Sequence, residues 1–130
     1  MPKDISPTGS AGEIMALLNW NEQGLVPAIA QDRDSGDVLM LAYVDRAALQ
    51  QTLDTQVATY YSRSRQGLWV KGETSGWLQR VLEVRTDCDG DVLLYVVQAP
   101  GPACHQNRRS CFSHRVDPDG SVHTDRPVIA

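Results

Sequence analysis

No apolar run in this chain approaches the roughly 20 residues that a membrane-crossing helix requires. No Cys-x-x-Cys pair occurs among its three cysteines, which excludes zinc ribbons, zinc fingers and thioredoxin-like redox motifs. No Gly-x-x-x-x-Gly-Lys-Ser/Thr stretch exists, so there is no P-loop. The His-x-Glu and Pro-Cys-x-x-Cys signatures of zinc nucleobase deaminases are also missing. Positive charge is scarce. Twelve Lys and Arg face 16 Asp and Glu, a net charge of −4, which argues against general binding to nucleic acid or anionic membranes. A local basic patch for one phosphorylated ligand is still compatible with that balance. The N-terminal residues have no apolar stretch and no cleavage pattern, so a signal peptide is not expected and the expected location is cytoplasmic. An odd cysteine count without an export signal disfavours a disulfide framework and favours metal or catalytic thiols.

What is present suits one globular domain. The chain has 130 residues, 42% hydrophobic and 22% charged, near the averages of folded domains, so disorder is not favoured. Residues 1–9 read as a flexible N-terminal tail, 10–116 as a single domain, and 117–130 as a loose, Pro-rich C-terminal tail. A capping-box spacing, Ser10 to Glu13, precedes Ile14, Leu17 and Leu18 and predicts a helix to about Asn19. Asp45 is a good N-cap for a second helix over 46–54. Alternating or continuous apolar patterns predict strands over 25–31, 38–44, 57–62, 68–71, 78–85 and 92–97. Pro27 points to an edge strand or a strand start. The 38–44 segment is apolar throughout, so both its faces are expected to be covered. A slip in the alternation over 78–85 suggests a bulge, and Asp89-Gly90 is a hairpin turn signal. Six strands and two short helices, joined mostly by hairpins, predict an α+β, mainly β fold: an antiparallel sheet curling into a small barrel.

The densest chemistry lies in Asp87-Cys88-Asp89-Gly90-Asp91, read with Cys104 and Cys111. Three carboxylates that converge at a turn offer hard oxygen donors of the kind that select Mg²⁺ or Ca²⁺. The D-x-D-x-D opening is not an EF-hand, because Val92 stands where the loop needs Gly and Gln98 where it needs Glu. An ordinary Asp-rich hairpin tip is the plain alternative. Thiolates are soft donors, and three of them leave a zinc ion one open position for water. Any one of these cysteines could instead be a buried apolar residue. Their polar, turn-like settings (Asp-Cys-Asp, Ala-Cys-His, Ser-Cys-Phe) weigh towards ligands. His105, beside Cys104, suits proton transfer at neutral pH, whereas His114 and His123 lie away from the motif. Ser62, Arg63 and Ser64, with Lys71, Thr74 and Ser75 of the Trp69–Gly76 stretch, carry the hydroxyls and cations that phosphate recognition uses, and Glu73 of the same stretch is a further candidate for substrate binding.

Taken in order, Tyr61–Ser64, Trp69–Gly76, Asp87–Asp91, Ala103–His105 and Ser110–Phe112 give a sequence that resembles the phosphoribosyl-AMP cyclohydrolase family of histidine biosynthesis. The likeness spans roughly Gly24 to Phe112. It implies hydrolytic opening of the adenine ring of 1-(5-phosphoribosyl)-AMP between N1 and C6. It implies a small pseudo-barrel capped by a helix, in an intertwined homodimer. It further implies Mg²⁺ on Asp87, Asp89 and Asp91. Zn²⁺ would be held by Cys104 and Cys111 of one subunit with Cys88 of the other. The expected partners are thus a small nucleotide and a second copy of the chain, with no nucleic acid and no membrane. Two places depart from the family pattern: Trp77 stands where His or Asn is usual, and Gln106-Asn107 where Thr-Gly is common. Alternatives are a paralogue acting on a related purine nucleotide, or a non-catalytic dimer module with a closed four-ligand zinc site.

Overall fold

The computed structural model describes residues 10–129. The expected N-terminal tail, 1–9, lies outside them. Helix α1 (Ser10–Leu17) leads into β1 (Val26–Asp32), β2 (Val38–Val44) and helix α2 (Arg46–Thr55). Then come β3 (Thr59–Ser62), β4 (Gly67–Val70), β5 (Arg80–Thr86), β6 (Leu93–Gln98), β7 (His114–Val116) and β8 (Val122–Thr124). Strands β1–β6 form one sheet in the order β4-β3-β2-β1-β6-β5.

The sheet is antiparallel except at its centre, where β1 and β6 run parallel, Ala28 opposite Leu93 through Asp32 opposite Val97. An all-hairpin reading does not anticipate that pairing, because the two strands are distant in sequence. Pro27 is therefore on a central strand, not an edge. It is tolerated because it lies one residue before the β6 ladder begins, where β1 owes no N–H to that neighbour. The predicted bulge in β5 is present as a register shift between Val81 and Glu83. The two ends of the sheet also approach each other. Ala58 N–H donates to the Gln79 carbonyl at 2.9 Å, and Val81 N–H donates to the Gln56 carbonyl at 2.8 Å. These bonds tie the start of β5 to the segment before β3 and curl the sheet towards a barrel, which reduces its open edge.

Alternation sends Val26, Ala28, Ala30, Leu39, Val44, Tyr60, Val84, Leu93, Tyr95 and Val97 inward. Helix α2 caps this interior with Ala48 and Leu49. Its N-terminus is closed by Asp45, whose carboxylate accepts from Ala48 N–H at 2.8 Å. Tyr60 and Tyr95 are fully buried and each hydroxyl is satisfied, by Gln79 Oε1 at 2.7 Å and Thr52 Oγ1 at 3.3 Å. The opposite face of the sheet is different. Strand β2, expected to be covered on both sides, leaves Leu41 44% exposed. In register, Leu41 lies opposite Ile29, and Ile29 opposite Leu94, so an apolar row crosses the outer face.

The expected loose tail from 117 onward is instead ordered over the described residues. Strand β8 pairs with β7, and the expected domain boundary falls inside that hairpin. Arg109 N–H donates to the Pro127 carbonyl and Ile129 N–H to the Asn107 carbonyl, each at 2.9 Å. The Arg108 guanidinium reaches the carbonyls of Asp125 and Arg126. A polar, Pro-rich segment is thus held by backbone groups of the loop it covers, a form of order that leaves no apolar periodicity to read.

Candidate active site

The site residues fall into two groups at opposite ends of the sheet. The first is the β5–β6 turn. The ligand atoms of Asp87, Asp89 and Asp91 all lie within 4.8 Å of one another and are exposed. Gly90 makes this turn possible. It adopts φ +73°, and a Cβ there would overlap the Leu17 carbonyl of α1. The same contact braces the turn, since Asn19 N–H donates to the Gly90 carbonyl at 2.7 Å and Asn19 Nδ2 to the Asp89 carbonyl at 2.6 Å. Asp91 N–H donates to Asp87 Oδ1 at 3.1 Å. The Asp91 carboxyl is held above its ordinary range by the hydrogen bond and negative charge of Asp87, with Asp89 adding to it. For Asp87, desolvation opposes ionisation, but the hydrogen bonds from Asp91, Gly90 and Val92 outweigh it and hold the carboxyl low. Mutual repulsion among carboxylates this close is what a divalent cation would relieve, so the donor set fits a hard ion. Cys88 is exposed, with its thiol 3.6 Å from Asp89 Oδ1.

The second group lies at the other end, in the loop after β6. Cys104 is buried, and the Gln106 N–H points at its sulfur at 3.4 Å. Cys111 N–H donates to the Leu39 carbonyl at 2.7 Å, which pins it to β2. Cys111 is exposed as a residue, yet its thiol is crowded by protein. That desolvation and the adjacent Cys104 push it up to about 11, while Lys71 acts in the opposite direction. Burial lowers Lys71 from its ordinary range, and the two cysteines work against that shift. Its Nζ donates to the Ala103 carbonyl at 2.6 Å. Two thiols beside a backbone N–H and an ammonium fit a soft cation that binds them as thiolates.

Cys104 borders a cavity of about 330 Å³. Of the residues predicted as site members, Lys71, Glu73, Thr74, Ser75, Cys104 and His105 line it. Ser62, Arg63 and Ser64 do not. They form the neighbouring β3–β4 turn, where Ser62 and Ser64 hydroxyls are 3.3 Å apart and the Arg63 guanidinium stacks over Tyr43 at 4.1 Å. Sequence reading missed Arg65, Trp69 and Asn107 as lining residues, although Trp69 begins one of the conspicuous motifs.

Cys88 and the carboxylates do not join this group within one chain. Strand β5 separates them, with Arg80 opposite Gln98 at one end and Thr86 opposite Leu93 at the other. At ~3.3 Å per residue, the two groups are on the order of 20 Å apart.

Fold and site together define a small, mainly β protein with an exposed carboxylate cluster at one end of its sheet and a cavity bordered by Cys104 and His105 at the other. The family model for phosphoribosyl-AMP cyclohydrolase matches residues 40–113. A phosphoribosyl-AMP cyclohydrolase of Alkalilimnicola ehrlichii is 60% identical over 107 residues, covering 82% of this chain and 75% of that protein. One from Granulibacter bethesdensis is 54% identical over 118 residues, covering 90% of this chain and 92% of that protein. A histidine biosynthesis bifunctional protein of Deinococcus radiodurans is 61% identical over 98 residues, which are 75% of this chain and 45% of that protein. The chain belongs to the phosphoribosyl-AMP cyclohydrolase family.

Proposed function

We propose that this chain opens the adenine ring of 1-(5-phosphoribosyl)-AMP in histidine biosynthesis, as a cytoplasmic, zinc- and magnesium-loaded homodimer. The observation that carries the reading is the cavity in which Lys71, Glu73, Thr74 and Ser75 face Cys104 and His105 in a chain of this family. The reaction adds the oxygen of water to C6, breaks the N1–C6 bond and leaves a proton on N1. The product is the formimino ribonucleotide with a carboxamide at the former C6. N1 bears a ribosyl group and a formal positive charge, so C6 is electrophilic and N1 a good leaving group.

Cys104 and Cys111, with Cys88 of a second copy, would hold zinc, and Asp87, Asp89 and Asp91 would hold magnesium. When bound, zinc supplies Lewis-acid activation of water at neutral pH. The chain's own residues do the rest. His105, on the cavity wall next to Cys104, moves the proton from the attacking water towards N1. Lys71, Thr74 and Ser75 hold one phosphate end by charge and hydroxyl donors. Arg63, Ser62 and Ser64, on the neighbouring turn, hold the other, and Glu73 orients a ribose hydroxyl.

The division of the donors supports the homodimer. A span on the order of 20 Å forbids one chain from closing Cys88 onto its own Cys104 and Cys111. A second copy related by a two-fold axis can present its β5–β6 turn to the cysteine loop, and the relation is reciprocal. The apolar row through Leu41, Ile29 and Leu94 gives such a copy a surface to cover.

The direct test is an absorbance assay of ring opening with phosphoribosyl-AMP, with metal analysis of the same preparation. Turnover that scales with zinc content is expected. Full turnover in a zinc-depleted Cys104→Ser variant would overturn the assignment.

A further inference from the structure

We propose that Trp77 is the platform on which the substrate's flat heteroaromatic base stacks, and so determines specificity in this cavity; the proposal rests on the ring-opening reading above. The indole is seated on the main chain of Gly101. A Cβ at that position would overlap Cγ, Cδ2 and Cε3 of the Trp77 ring, so only glycine lets the loop after β6 lie against it. Trp77 N–H donates to Ser75 Oγ at 3.2 Å, which fixes where the side chain leaves the backbone.

With Gly101 against it, Trp77 still remains 41% exposed. It borders the cavity that also contains Lys71, Ser75, Cys104 and His105. The other two tryptophans are already occupied. Trp69 packs on Tyr60 with ring centroids 5.1 Å apart, and Trp20 lies under Arg46 at 4.9 Å. Among the described residues Trp77 has no aromatic partner and no cation over its face. A rigid, seated, unoccupied indole beside phosphate-binding groups suits a nucleobase. Every base has a π-face, and stacking on an aromatic side chain strengthens binding without requiring hydrogen-bond readout.

Two probes separate base from phosphate. The full-length protein, loaded with zinc and magnesium, is titrated with AMP and separately with ribose 5-phosphate while tryptophan emission is followed. AMP is expected to quench the emission and ribose 5-phosphate to leave it unchanged, and Trp77→Phe is expected to lose the quench. In the ring-opening assay, Trp77→Ala is expected to raise KM at least about fivefold with a smaller change in kcat. Trp77→Phe, which keeps an aromatic face, should stay within about twofold of the parent KM. Gly101→Ala, which unseats the indole, should raise KM in the parent and add little in Trp77→Ala. Equal quenching by both probes, or an unchanged KM in Trp77→Ala, overturns the proposal. If AMP quenches Trp77 but the parent protein opens no ring, base stacking stands and the ring-opening reading falls.

Discussion

The guanidinium of Arg109 lies 3.1 Å from the carboxylate of Asp32, and both side chains are largely buried, 16% and 8% exposed. Asp32 ends β1. Arg109 belongs to the loop that carries both cysteines and also donates to the carbonyls of Ala99 and Gly101. One ion pair therefore fixes the cysteine loop to the centre of the sheet.

Breaking this pair is expected to be costly and pH-dependent. Burial opposes ionisation of Asp32, but Ser35 and Arg109 outweigh it, and the net shift is below the ordinary carboxylate range. A depressed folded-state pKa contributes stability that is complete above the unfolded value near ~3.9 and is lost as pH falls through the folded one. Asp32→Asn leaves Arg109 buried without its partner and should cost about 3 kcal/mol at neutral pH. Melting curves from pH 7 to pH 3 should show the gap between parent and variant shrinking at the acid end.

Gly90→Ala tests the carboxylate turn. The position needs φ +73°, and the added methyl meets the Leu17 carbonyl. A loss of more than about 1 kcal/mol in denaturant unfolding is expected. Magnesium binding by titration calorimetry should weaken with it, since the three carboxylates ride on this turn.

Asp91→Asn addresses the cation directly. A proton on the raised Asp91 carboxyl competes with a cation for the same oxygens, so magnesium affinity should decline as pH falls, starting above the range of an isolated carboxylate. Removing the carboxylate should raise the half-saturating magnesium concentration about tenfold or more and flatten that pH dependence.

Lys71→Met tests the thiol pair. Lys71 acts to lower the thiol of Cys111, which even with that help is pushed up to about 11. Without the ammonium the thiolate fraction at pH 8 falls further. Alkylation of Cys111 in metal-free protein, followed by mass spectrometry, should slow severalfold relative to the parent.

Local chemistry was largely legible in the sequence, and long-range geometry was not. Asp45 at the head of α2, the Asp89-Gly90 turn and the slip in β5 are short-range signals that the structure repeats. The parallel pairing of β1 with β6 joins strands far apart in sequence, and no local pattern encodes it. The ordering of 125–129 depends on free backbone groups in the loop around Arg108 and Arg109, which hydropathy does not record. At the site, Cys104, His105, Lys71 and Ser75 line one cavity. The seat of Trp77 on Gly101 exists only in three dimensions.

Subunit complementation distinguishes a site shared between two copies of the chain from one held within a single copy. Cys88→Ser and Cys104→Ser proteins are prepared separately, then mixed through reversible unfolding, and ring opening is measured before and after. Each variant alone should be nearly inactive. In a mixed dimer one site carries both substitutions and the other carries neither, so random 1:1 pairing should restore about a quarter of the parent activity. Absence of any recovery in a mixture shown to contain mixed dimers would contradict a shared site.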